Sequence, residues 1–111
     1  MGKLLYGTPP TEHEIEDRLL AHVQVVITNK FRRDESFAFV LPANPALGSG
    51  RQTLWLNPSI PVQFSFHGSR APALNRDWVQ QLMNEANSGR GLSLLPEPPQ
   101  REGTVRTFPA A

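Results

Sequence analysis

The sequence predicts one small α+β domain, an antiparallel sheet of four to six strands with two helices on one face, followed by a Pro-rich C-terminal tail. Three observations lead there. Across residues 17–41 an amphipathic helical pattern passes through a basic cluster and runs directly into an apolar strand pattern. Val62, Phe64 and Phe66 alternate with Gln63, Ser65 and His67, the period of a half-buried strand. A chain of 111 residues has room for a single core. The domain is expected over residues 1–95 and the extended or disordered tail over 96–111.

The elements follow in order. Residues 3–6 form a short β-prone run stopped by Gly7-Thr8-Pro9-Pro10, where proline fixes its own backbone and restrains the residue before it. This run is expected as a first edge strand, with residues 11–15 pairing back as an opening hairpin. Asp17 is the natural N-cap of the helix that follows. In that helix Leu20, Val23, Ile27 and Phe31 recur at spacings of three and four, widened by Leu19 and Val26, while Arg18, Gln24, Thr28 and Arg32 take the opposite face. Val23, Val25, Val26, Ile27 and Thr28 are β-branched, so a strand over 23–28 is the competing assignment.

Residues 36–41 read as a strand ended by Pro42, and 44–50 as a loop. Residues 52–56 alternate, with Leu54 and Leu56 on one face and Thr53 and Trp55 on the other. Together with the run from Val62 to Phe66 they suggest a three-stranded antiparallel meander over 36–67. Asn75 caps a second helix carrying Trp78 and Leu82, and Asn87-Ser88-Gly89 ends it. A last short strand over 92–95 precedes Pro96.

Composition removes whole classes of chemistry. The chain has no cysteine, so it has no disulfide framework, no thiolate zinc site and no thiol nucleophile, and a cytoplasmic location is expected. The opening MGKLLYGTPP holds only a two-leucine apolar patch, too short for a secretory signal, and Tyr6 stands where a myristoylation pattern calls for Ser or Thr. No run approaches the roughly 18 apolar residues of a membrane span. A net charge of +1 conceals an uneven layout, with an acidic stretch over 12–17 and an arginine-rich middle.

No catalytic constellation emerges. His13, His22 and His67 lack the spacing of three or four that turns two imidazoles toward one ion. Gly48-Ser49-Gly50-Arg51 lacks the Gly-Lys-Ser/Thr ending of a nucleotide loop, and Ser49, Ser59, Ser65 and Ser69 lack the glycine-framed elbow of a hydrolase. Catalytic, metal and cofactor sites are therefore not expected. What remains is a candidate basic patch of Lys30, Arg32, Arg33, Arg51 and Arg70 for a nucleic acid or another partner, and two candidate interface aromatics, Trp55 and Trp78. Lysine and arginine in a last helical turn also suit the helix dipole, and Phe31 fits the buried stripe better than a stacking platform.

The segments MGKLLYG, DRLLAHVQVVITNKFRRDESF, GSGRQTLWLNPSIPVQF and ANSGRGL resemble a family of small actinobacterial proteins without an established activity, over residues 1 to about 99. Members often carry the label "ATP-dependent DNA ligase". That resemblance implies at most an accessory module. A ligase forms its adenylate on the lysine of Lys-x-Asp-Gly, whereas Lys3 precedes Leu4-Leu5-Tyr6 and Lys30 precedes Phe31-Arg32-Arg33. The expectation is a non-enzymatic module for protein interaction or self-assembly, its partner a protein or a second copy; a nucleic-acid accessory role through the basic patch is the alternative, and no membrane is involved.

Overall fold

The competition between helix and strand over residues 23–28 is settled in favour of helix. In the computed structural model, which describes residues 1–43 and 50–99, α1 runs Asp17–Arg32. Leu20, Val23, Val26 and Ile27 are at most 1% exposed. Each buried aliphatic side chain is worth about 1.5–3 kcal/mol, against a propensity deficit of roughly 0.5 kcal/mol for each β-branched residue. Burial outweighs propensity several times over.

Both ends of α1 differ from the simplest expectation. Asp17 is the first helical residue rather than the cap, and Glu16 before it makes no side-chain cap bond. The Asp17 carboxylate instead accepts the backbone N–H groups of Gly68 at 2.8 Å and His67 at 3.1 Å, tying the helix start to a distant loop. At the other end Asp34 takes a left-handed φ of 58°. Glu35 N–H then reaches the Lys30 carbonyl at 3.0 Å and Asp34 N–H that of Phe31 at 2.9 Å, the paired bonds of a Schellman ending.

The six strands divide into two three-stranded sheets. β1 (Gly2–Tyr6) lies between β2 (Thr11–Ile15) and β5 (Val62–Ser65), antiparallel to both. β3 (Phe37–Leu41) lies between β4 (Gln52–Leu56), which is antiparallel, and β6 (Leu92–Ser93), which is parallel. The opening hairpin is present. Two sequence expectations are corrected, since β1 is a central strand rather than an edge, and β5 leaves the meander to pair with β1. Alternation places side chains on faces but does not select the neighbouring strand.

α2 (Arg76–Ala86) begins at the cap predicted for it: Asn75 Oδ1 accepts the N–H groups of Asp77 at 3.0 Å and Trp78 at 3.3 Å. Trp78, Leu82 and Ala86, four residues apart, are buried. The helices pack on each other, α1 against β1 and α2 against β3 and β6. One core joins Leu4, Leu20, Phe39, Leu56, Leu82 and Leu92, all fully buried. Gly91, at a φ of 89°, is required where the chain enters β6, because a Cβ there would lie 2.8 Å from the Ala38 side chain. The expected strand over 92–95 shortens to two residues.

Candidate functional site

The outer face of the β3–β4–β6 sheet is built by simple alternation. Phe37, Phe39 and Leu41 of β3 point inward and are buried, so Ala38 and Val40 point outward. Across the register Ala38 faces Trp55 and Val40 faces Thr53, and Ser93 of β6 completes the row beside Val40. None of these five side chains carries a charge. Trp55 is 62% exposed, the largest apolar side chain left open to solvent among the described residues.

Backbone groups on either side of that ring are fixed from the other sheet. The Tyr6 hydroxyl donates to the Trp55 carbonyl at 2.8 Å and accepts the Asn57 N–H at 2.9 Å. A single phenol thus joins the end of β1 to the end of β4.

Trp78, the second aromatic expected at an interface, belongs instead to the core. It is 4% exposed, its indole N–H donates to the Leu95 carbonyl at 3.0 Å, and its ring lies 4.5 Å from that of His22. The spacing from Trp78 to Leu82 to Ala86 already carried that signal.

The basic candidates do not form one patch. Lys30 is 6% exposed and its ammonium donates to Asn87 Oδ1 at 2.7 Å. The same Nζ lies 3.0 Å from Glu35 Oε1, an ion pair without hydrogen-bond alignment, and 5.5 Å from the centre of the Phe37 ring. Lys30 therefore fastens the end of α1 to the end of α2. It falls three residues after Ile27, on the stripe that is buried. Arg32, Arg33, Arg51 and Arg70 are exposed. Arg70 sits in the loop beside Asp17, and Arg32 ends the helix fifteen residues on, about 22 Å away at 1.5 Å per residue.

A polar network that leaves no local signal in the sequence lies at the other end of the helix pair. His22 is fully buried, with Nδ1 2.7 Å from the Arg18 carbonyl and Nε2 2.8 Å from the Asn75 N–H. Nδ1 therefore carries the proton and Nε2 accepts, so the ring is neutral, and burial pulls its pKa below the ordinary 6.5. Arg18 holds Glu97 with two bonds of 2.8 Å and donates a third, of 3.0 Å, to the Ala73 carbonyl. The Asn75 amide donates to Glu97 Oε2 at 3.0 Å and to the Pro98 carbonyl at 2.8 Å. The Arg18 guanidinium, helped by the Asn75 amide, holds the Glu97 carboxyl down to about 2.

These contacts carry the packed chain past the boundary expected at residue 95; the rest of the expected tail, from residue 100, lies outside the described residues. Residues 1–97 match a family described only as a domain of unknown function, DUF7882. The chain belongs to this family. No curated protein matches it, and no solved structure does. The DUF7882 span closes on Glu97, the residue whose carboxylate clamps Arg18, and the Pro98 carbonyl held by Asn75 lies one residue beyond it.

A cleft of about 200 Å³ opens between the first half of α1 and the loop over residues 68–72. Asp17, Ala21 and Gln24 line it from the helix, at spacings of four and three, and Phe66, Arg70 and Pro72 line it from the other side. Among the described residues no helix is long and apolar enough to cross a membrane.

Proposed function

We propose that this DUF7882 domain is a non-catalytic interaction module that engages a protein partner, or a second copy of itself, through the uncharged outer face centred on Trp55. The 62% exposure of Trp55 carries the reading, because the other tryptophan and the large core side chains are shielded. Tryptophan is enriched among the residues that dominate binding energy at protein interfaces, where its broad surface is desolvated. Groups that could otherwise support chemistry have structural employment. Both ring nitrogens of His22 are used internally, the Lys30 ammonium is held by Asn87 and Glu35, and the Lys3 ammonium donates to Glu12 at 3.0 Å. Adenylate formation on either lysine finds no support in these surroundings.

The nucleic-acid alternative draws on the exposed guanidiniums of Arg32, Arg33, Arg51 and Arg70. Their spread, and the burial of Lys30, weigh against a compact phosphate-binding patch. Affinity purification from native cells, with mass and nucleic-acid content measured together, tests both. A stoichiometric protein partner or self-complex that disappears in Trp55→Glu is expected. Recovery of no such complex overturns the reading, and salt-sensitive nucleic acid retained in Trp55→Glu but lost in Arg32→Gln/Arg33→Gln favours the alternative.

A further inference from the structure

The cleft between α1 and the loop over 68–72 holds an acid and a base that do not meet. Asp17 and Arg70 both line a space of about 200 Å³, yet they form no ion pair with each other. The Asp17 carboxylate accepts the backbone N–H groups of Gly68 and His67, and these, with smaller contributions from the N-terminal ammonium and the His67 ring nearby, hold its pKa below the ordinary range. It stays ionised near neutral pH. Arg70 belongs to an exposed loop, and Ala21, Gln24, Phe66 and Pro72 line the same cleft. Opposite charges lining a small, mostly apolar cleft without closing on each other leave room for a molecule that carries both counter-charges.

We infer that this cleft binds a small zwitterion with an apolar body, an α-amino acid of leucine or phenylalanine size. Arg70 takes its carboxylate as a planar two-pronged donor, and Asp17 takes its ammonium on the lone pairs its backbone contacts leave open. The apolar side chain packs on Phe66, Ala21 and Pro72. The cleft is smaller than the roughly 300–1,000 Å³ of sites for drug-sized ligands, which limits the occupant to about this size. The site is separate from the Trp55 face, and none of its residues belongs to the β3–β4–β6 sheet.

Titration of the ¹⁵N-labelled full chain with L-phenylalanine and L-leucine tests the assignment. Saturable shifts in the amides of Gly68, Ser69 and Arg70 are expected, with a Kd on the order of 1 mM for so few ligand atoms. Phenylpropionate, which lacks the ammonium, and phenethylamine, which lacks the carboxylate, should each bind at least about tenfold more weakly. Arg70→Gln should weaken phenylalanine by a similar factor and leave the circular dichroism spectrum and melting temperature unchanged, while Arg70→Lys recovers part of the loss. If either truncated analogue binds as tightly as phenylalanine, or these amides do not respond at 10 mM amino acid, the inference is overturned.

Discussion

Replacing Asn75 with alanine removes four hydrogen bonds from one side chain, and the structure divides them into two separable sets. Oδ1 caps α2 through the N–H groups of Asp77 and Trp78, and such a cap is worth about 1 kcal/mol. Nδ2 ties down the strap after β6, through Glu97 Oε2 and the Pro98 carbonyl, at about 1 kcal/mol for each bond. Glu97 is a third exposed, so water replaces part of its share. The expected total for Asn75→Ala is about 2–3 kcal/mol, a fall of roughly 2 M in the urea midpoint for a domain this size. Asn75→Asp keeps the capping oxygen but loses both donors and sets a second carboxylate beside Glu97, for a cost of about 2 kcal/mol. Shortening the chain after Leu95 removes the strap. In that background Asn75→Asp should become nearly neutral, while Asn75→Ala still costs about 1 kcal/mol for the cap. Equal costs for Asn75→Ala in both backgrounds would refute the division.

Three further outcomes follow from the geometry. Folding holds the His22 pKa below 6.5, so the unfolded chain takes up a proton first and stability falls as pH drops below about 6.5. His13, also depressed by burial, contributes with the same sign. Urea midpoints across pH 5–8 should lose part of this slope in His22→Gln, and ¹⁵N spectra should show the Nδ1–H tautomer; the Nε2–H tautomer would contradict the assignment. Gly91→Ala combines a left-handed φ with a Cβ 2.8 Å from the Ala38 side chain and should destabilise by about 2 kcal/mol or more in thermal melts. Asp34→Gly relieves the positive φ at the end of α1 and should raise stability by about 0.5–1 kcal/mol, visible as a rise of a few degrees in Tm.

Much of this fold is legible where the controlling contact is local. The stripe of Leu20, Val23 and Ile27 announces α1, and Asn75 announces the start of α2, because periodicity and capping are read within a few residues. The exposed side of Trp55 is equally visible, since Leu54 and Leu56 claim the inner face. Features decided across the chain were hidden. Asp17 bonds to amides fifty residues away, so its role as an anchor for a loop left no trace beside it. The same holds for the pairing of β5 with β1, and for the Arg18–Glu97 clamp across 79 positions. Lys30 shows a different failure. Its charge argues for the surface, but its place in the helical period turns it inward, where its ammonium lies over the Phe37 ring and meets an amide and a carboxylate.

The Tyr6 hydroxyl gives the exposed Trp55 an unusual combination of openness and order. An aromatic ring on a loose strand end must be immobilised when a partner arrives, and losing backbone freedom costs about 1–2 kcal/mol per residue. Here the carbonyl of Trp55 and the amide of Asn57 are already fixed by one phenol from the other sheet. The backbone share of that entropy is lost during folding rather than at contact, so a partner of the kind proposed would have to arrest little more than the two side-chain torsions of the indole. A ring held this way favours a slow off-rate over broad adaptability.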